Sequence, residues 1–594
     1  MKIIKFIVFT CAVQLQLISG SLNAQTLRNY LPPVFESAVI QKTQFDTRTR
    51  AYITPTRIIW KQNGELIEGI ENLLLKGNGQ ATTAKTLQCV FTCKDGKRPS
   101  ILLDFGKELQ GGLQFVTSVR DSKNPVKIRV RLGESASEAM SDISQKGTAT
   151  NDHAMRDYFL ELPWLGVCEI GNSGFRFVRI DVLEDNVVLP IKEIRAILVY
   201  QDIPYLGTFH SSNPRLDSIW MTGAYTVHLN MQEYLVEATK RDRLVWVGDL
   251  HPEVKAALAV FGDNASIARS LDFARNETPL PNWMNGMCSY SLWWVLIHRD
   301  YFMYRGNINY LKEQQVYLSQ LLRILMKTID NNGHENLKGG GRFLDWPTSK
   351  DKKSIDAGLH ALMVMTLDAG GQMLKALGDK TLADSCIVTS NKMKKFIPEY
   401  ESSKQSAALI ALSGIVDANK VNNQVLSVGG VSKFSTFYGY YMLEAKAKAG
   451  DFTIAMDNIS TYWGGMLDLG ATTFWEDFNI DWLKNAGRID ELVPDGKVDI
   501  HATYGDYCYK GFRHSFCHGW AAGPTPWLSE YVLGISIVEP GCKVIKISPH
   551  LGNLQWVEGS FPTPFGLIKV RHDKQPDGTV KSKIDVPNTI KIIR

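Results

Sequence analysis

The chain has 594 residues, of which 44% are hydrophobic and 21% charged, and its formal net charge is +5. That is an ordinary globular composition with length for two to four domains, each burying its own core. The charge is too small, and Lys and Arg too dispersed, for a nucleic-acid binder; no Cys-x-x-Cys pair or His/Cys cluster has zinc spacing.

Residues 1–24 read as a secretory leader. Lys2 and Lys5 form a basic start, Ile3 to Leu17 is largely apolar, and Leu22-Asn-Ala24 is a cleavage site. The expectation is an exported protein, periplasmic or extracellular. No stretch approaches the roughly twenty apolar residues of a membrane span. Export permits disulfides, but the spacing does not pair the eight cysteines beyond the leader.

From 25 to 206 the texture is β. Ser100–Gly106, Gly112–Val119, Val126–Leu132 and Phe175–Val182 alternate apolar and polar residues between turn signals, which predicts a β-sandwich domain. From 207 to 534 the period changes to 3.6, with amphipathic runs over Tyr310–Ile329, Ala357–Leu377 and Phe437–Ala449. Between the runs lie loops rich in Trp, Asp and Gly: Leu280–Trp283, Gly339–Trp346 and Gly470–Asp477. Helix pairs joined by such loops predict a helical toroid with its loops around one mouth. From 535 to 594 alternation returns in Val544–Ser548, Leu567–Arg571 and Ile584–Val586, a small β domain.

The chemistry concentrates in Glu237-Ala-Thr-Lys-Arg-Asp-Arg-Leu-Val-Trp-Val-Gly-Asp249, where two arginines and three carboxylates surround Trp246. An apolar run from Leu216 to Leu235, repeating every three or four residues, leads into it as a buried helix. Carboxyl pairs beside an indole suit glycoside hydrolysis: one acid protonates the leaving oxygen, a second carboxylate works from the other face, and the ring packs on the sugar. A surface turn knit by salt bridges from Arg241 or Arg243 fits the same residues. Glu476, after Trp475, is the candidate second acid, and Arg513-His-Ser-Phe-Cys-His518-Gly-Trp520 adds two histidines and another indole. Trp283 and Trp346 are candidate sugar contacts on their own loops. The 14 tryptophans lean the same way, although core packing accounts for most of them.

Arg241-Asp-Arg-Leu-x-Trp-x-Gly-Asp249 resembles the signature of the bacterial α-L-rhamnosidases of glycoside hydrolase family 78, which runs Arg-Glu-Arg-Leu-Gly-Trp-Thr-Gly-Asp. Gly470–Glu476 resembles the family's second motif and Ser515–His518 its third; further likenesses at Leu103–Gly106, Gly174–Val178, Ile547–Pro549 and Pro562–Ile568 extend over the flanking β domains. The resemblance implies an (α/α)6 barrel and an inverting, exo-acting hydrolase releasing terminal α-L-rhamnose or a related sugar. It places Asp242 at the general acid, Glu476 at the general base, and Glu237, Arg241, Trp246, Asp249 and His518 at sugar contacts. Three residues depart from the pattern: Asp242 stands where the family has Glu, Glu237 where it has Asp, and Val245 where it has Gly. The acid is thereby retracted by one methylene and its neighbour lengthened by one. Two other readings stay open, a polysaccharide lyase using His514, His518 and Tyr504, and a sugar-binding protein without turnover. No cofactor is expected, and a structural calcium is left open; the expected partner is a carbohydrate, with no nucleic acid.

Overall fold

The computed structural model describes residues 46–85, 87–143, 150–151, 155–503 and 511–593. The expected leader and Tyr504 lie outside them. The chain divides into two compact units, Met1–Arg48 and Thr49–Arg594. Of the first, Asp46–Arg48 are described, with Arg48 Nε on the Asp46 carboxylate at 2.8 Å.

The second unit opens with nine strands: β1 (Thr49–Ile53), β2 (Arg57–Gln62), β3 (Ile67–Glu68), β4 (Cys89–Thr92), β5 (Ser100–Thr117), β6 (Val126–Gly133), β7 (Asp157–Leu162), β8 (Val167–Val182) and β9 (Val188–Tyr200). All pair antiparallel in the order β3-β4-β9-β5-β8-β6-β7, with β1 on β9 and β2 on β5. The two strands expected at Ser100–Gly106 and Gly112–Val119 are one strand, β5, interrupted by irregularities between Asp104 and Leu109 and between Gly111 and Leu113. Its first half lies between β2 and β8, its second between β9 and β8. A strand that changes neighbours at a bulge passes from one layer to the other, and so forms the corner of a sandwich. Gly111 and Gly112 make the crossing possible. A Cβ there would come 1.9 Å from the Ile197 carbonyl oxygen and 2.1 Å from that of Ile170. Alternate residues of both layers, among them Leu103, Phe115, Ile128, Phe175 and Ile180, fill the core between them.

A short helix, α1 (Ala136–Met140), follows β6, and its Ser135 cap accepts the Glu138 N–H at 3.1 Å. The helical part runs through α2 (Pro214–Asn230), α3 (Leu250–Val260), α4 (Ala265–Asn276), α5 (Cys288–Arg305), α6 (Ile308–Lys327), α7 (Lys352–Ala376), α8 (Lys380–Met393), α9 (Lys404–Ser413), α10 (Gly439–Lys448) and α11 (Phe452–Asp468). Asn213, Asn264, Asn307, Asp351, Asp379 and Ser403 cap six of them through side-chain oxygens. Neighbour packs on neighbour from α2 through α3, α5, α7, α9, α10 and α11, which returns to α2 and closes a ring. α7 is buried on nearly every face, as an inner helix must be, whereas α6 shows the one-sided stripe of an outer one. No described helix is long and apolar enough to cross a membrane.

The last strands, β11 (Ile535–Ile537) through β16 (Lys591–Ile593), form two small sheets. β10 (Thr208–Ser211), ahead of the helices in sequence, pairs with β13 (Trp556–Thr563). The seven described cysteines are free thiols, including Cys89 and Cys93. The architecture is thus a helical toroid flanked by an N-terminal sandwich and a small C-terminal β domain.

Candidate active site

The predicted helix leading into the acidic stretch ends early. Its periodicity runs to Leu235, but α2 stops at Asn230, because the N–H groups of Gln232 and Val236 return to the Asn230 carbonyl at 2.9 and 3.1 Å. The chain then passes beside the third motif, where Gly519 N–H donates to the Glu237 carbonyl at 2.8 Å. It turns sharply at Asp242 and Arg243, both non-glycine residues in the left-handed region at φ 53° and 54°. Each such residue costs on the order of 1–3 kcal/mol and needs surroundings that enforce it. Glu237 enforces this pair: its carboxyl accepts the N–H of Arg243 at 3.0 Å and of Leu244 at 2.8 Å. Burial pushes the Glu237 carboxyl well above its ordinary pKa, and the charges of Asp242 and Asp249 add to the push. Glu237, expected at a sugar contact, is a buried clamp on the turn that carries Asp242. In Glu237→Gln an amide would face one of those two N–H donors, so about 2 kcal/mol of stability should be lost, read as a fall in Tm; an unchanged Tm would show that the clamp is idle.

Arg241 joins the two candidate acids. Its Nη2 donates to both oxygens of Glu476 at 2.8 and 2.9 Å, and its Nη1 lies 3.3 Å from both oxygens of Asp242. One guanidinium therefore separates the carboxyl groups. Trp246 donates from Nε1 to Asp242 Oδ2 at 3.2 Å and stands edge-on to Tyr290. Glu476 is buried, and burial alone would raise its pKa. The charge of Arg241 outweighs that, with His518, His514 and the Ser515 N–H, and lowers it to about 2. A carboxylate held this low is ionised at any ordinary working pH.

The backbone locks the three motifs together. Glu476 N–H donates to the Ser515 carbonyl at 2.9 Å, and His518 N–H to the Phe474 carbonyl at 2.9 Å. Trp520 Nε1 and Thr436 Oγ1 hold the Glu476 carbonyl at 2.8 and 2.5 Å. Asp249 accepts from Tyr290 at 2.6 Å and pairs with His518 Nε2 at 3.4 Å. Seven of the nine residues singled out from sequence thus meet in one cluster: Glu237, Arg241, Asp242, Trp246, Asp249, Glu476 and His518. Trp346 is reached through Asp345, whose carboxylate caps its N–H at 2.9 Å, and packs edge-on to Phe343. Trp283 is buried, donates to the Lys338 carbonyl at 2.8 Å, and lines a separate groove of 630 Å³ with Asn282, Lys327 and Asp330.

Sequence reading missed Tyr290 and three further acids. Asp345 accepts from Ser435 and is pushed up to about 6 by burial. Asp477 is raised well above its ordinary value by burial, then by Asp345 and Glu476. Glu253, one turn beyond Asp249 on α3, is fully buried, and neither of its carboxyl oxygens has a hydrogen-bond partner among the described residues. Burial, then the charge of Asp249, pushes it well above the usual range. The one signal available was the 3–4-residue spacing of Asp249 and Glu253 on a helix. A carboxyl raised in the folded state weakens folding as pH rises above its unfolded pKa of about 4.3. Glu253→Leu should therefore gain about 1 kcal/mol or more at pH 7 and less at pH 4, compared by thermal unfolding at both.

The family described as the bacterial alpha-L-rhamnosidase 6 hairpin glycosidase domain matches residues 204–532, over half the chain, and the bacterial alpha-L-rhamnosidase C-terminal domain matches 534–592. An alpha-L-rhamnosidase of Alteromonas sp. (strain LOR) is 23% identical over 541 residues, covering 82% of this chain and 54% of its own. The chain thus spans about half the length of that curated relative. Among solved structures, the GH78 family rhamnosidase of Bacillus sp. GL1 superposes with a TM-score of 0.72 at 20% identity, over 88% of this chain and 55% of that one. A Klebsiella oxytoca rhamnosidase with rhamnose bound gives 0.65 at 18%, over 81% and 96%. At such identities the structures speak for the fold, and the family likeness over residues 204–532 carries the assignment: the chain belongs to the bacterial α-L-rhamnosidase six-hairpin glycosidase family.

Proposed function

We propose that the protein is an exported, exo-acting α-L-rhamnosidase that cleaves terminal rhamnose from a glycan or glycoside with inversion. The observation carrying this reading is the Asp242–Arg241–Glu476 bridge, in which one guanidinium holds two carboxyl groups apart across a buried site. Glu476 is the general base. As the ionised partner it takes a proton from water while the water oxygen attacks the anomeric carbon. Asp242 is the general acid and protonates the glycosidic oxygen as the bond to it breaks. Trp246, Asp249 and His518 border the sugar, Arg241 orients both acids, and Trp283 and Trp346 belong to more distant parts of the binding surface. Purified protein should hydrolyse an aryl α-L-rhamnoside and release the β-anomer first, followed by proton NMR before mutarotation. The α-anomer first would overturn inversion. Binding of rhamnosides without turnover would instead favour a sugar-binding protein whose acid, one methylene short, no longer reaches.

A further inference from the structure

Lys240 immediately precedes Arg241, and its side chain is buried at 7% exposure. Its ammonium lies 2.9 Å from Glu134 Oε2 and 3.1 and 3.3 Å from the two oxygens of Glu138. It also donates to the carbonyls of Phe512 at 2.7 Å and His514 at 3.0 Å, with His501 Nε2 at 3.5 Å. Glu134, Glu138 and His501 are grouped closely enough to hold a metal ion, and the ammonium occupies the middle of that group. An ammonium has three protons, so charge as well as hydrogen bonding sets this arrangement.

The members of the cluster come from three separate parts of the chain. Glu134 and Glu138 belong to the N-terminal domain, at the end of β6 and on α1, a segment tied to the toroid where Ala136 N–H meets the Ile489 carbonyl at 2.9 Å. Lys240 belongs to the arm bearing Arg241 and Asp242. Phe512 and His514 belong to the arm whose Ser515 N–H binds Glu476 at 3.2 Å and whose His514 Nε2 receives the Asp477 N–H at 2.9 Å. Glu134 grips the second arm directly as well, accepting the Phe516 N–H at 2.7 Å. His501 closes the group through Ser135 Oγ at 2.7 Å and the His514 carbonyl at 2.8 Å.

We propose that Lys240 is a positioning residue. Its ammonium, held by the sandwich carboxylates Glu134 and Glu138, fixes the arm of Asp242 and the arm that supports Glu476 in one register, making the N-terminal domain part of the catalytic machinery. The proposal rests on the hydrolase reading for its kinetic consequences only. A buried ion cluster that merely stabilises the fold would not move the titration of Glu476, whereas a positioning group does. Glu476 faces Arg241, His514, His518, Asp249 and Asp477. Lys240 faces Glu108, Glu134, Glu138, His501 and His514. Slackening the two arms withdraws Arg241 and the Ser515 N–H from Glu476, so its pKa should climb toward the ordinary glutamate value of about 4.3.

The test compares Lys240→Met, Glu138→Gln and the exposed control Lys353→Met in the full chain, by kinetics and by amide hydrogen exchange. Lys240→Met should lower kcat by about 100-fold, leave KM nearly unchanged, and move the acidic limb of kcat/KM upward by about one pH unit or more. Exchange should quicken together in 238–249 and 511–520, with β5 and α2 unaffected. Glu138→Gln should show the same pattern more weakly, and Lys353→Met none of it. Wild-type exchange in both arms, or quickening in one alone, overturns the proposal. So does uniform loss of protection in both cluster variants, which would mark a general structural role. If the wild type hydrolyses no rhamnoside, the hydrolase reading fails, while the exchange result still decides whether Lys240 couples the arms.

Discussion

Glu476→Gln and Asp242→Asn should each lower kcat by roughly 10²–10⁴-fold, the span of a single general acid or base, but their losses should respond differently to the leaving group. Glu476 is ionised because Arg241, His518, His514 and the Ser515 N–H together outweigh its burial. A glutamine cannot take a proton from water, so that loss should be similar for every aglycone. Asp242 assists departure, and nitrophenolate departs with little help. Asp242→Asn should therefore be milder on a nitrophenyl rhamnoside than on a rhamnosyl sugar, measured as kcat/KM on the two substrates. Leaving-group dependence in Glu476→Gln instead would exchange the two roles. Equal, minor losses in both variants would remove this pair from the chemistry altogether.

Arg241→Met should produce the largest change in stability. The variant leaves Glu476 buried without its ion partner, and breaking a buried pair from one side costs about 3–5 kcal/mol. The sign with pH follows from the lowered value. A carboxylate depressed in the folded state contributes stability above its unfolded pKa of about 4.3 and loses it as pH falls through its folded value, here about 2. The deficit of Arg241→Met should therefore be greatest near neutrality and shrink below pH 4, as Glu476 is protonated. The acidic limb of any residual activity should move upward in step. Denaturant unfolding at pH 7 and pH 4 measures the first, and a pH profile the second; a deficit of equal size at both pH values would show that the guanidinium acts by packing rather than by charge.

Much of the architecture was readable from local pattern, because helix and strand periods and turn signals act within a few positions. Helices expected at Tyr310–Ile329 and Ala357–Leu377 occur as Ile308–Lys327 and Lys352–Ala376, with Asn307 and Asp351 at their caps. Alternation likewise located Val126–Gly133 and the end of β8. It divided β5 in two because a bulge interrupts alternation as a turn does. The early end of α2 was hidden for a similar reason, since apolar spacing continues through a buried bend as readily as through a helix.

At the site, sequence determined which residue types were on hand: carboxylates, arginines, indoles and two histidines on three separate stretches of chain. Tertiary structure alone decided their relations. Arg241 and Glu476 are 235 residues apart in the chain and 2.8 Å apart in space. Glu237 became a clamp because only a folded turn shows which N–H groups need an acceptor. Glu253, Asp345 and Asp477 acquired raised pKa values from burial, which no spacing reveals. Lys240 reads in sequence as one more member of a charged run. It became the meeting point of two arms and a second domain because an ammonium removed from water must gather oxygens from wherever the fold brings them.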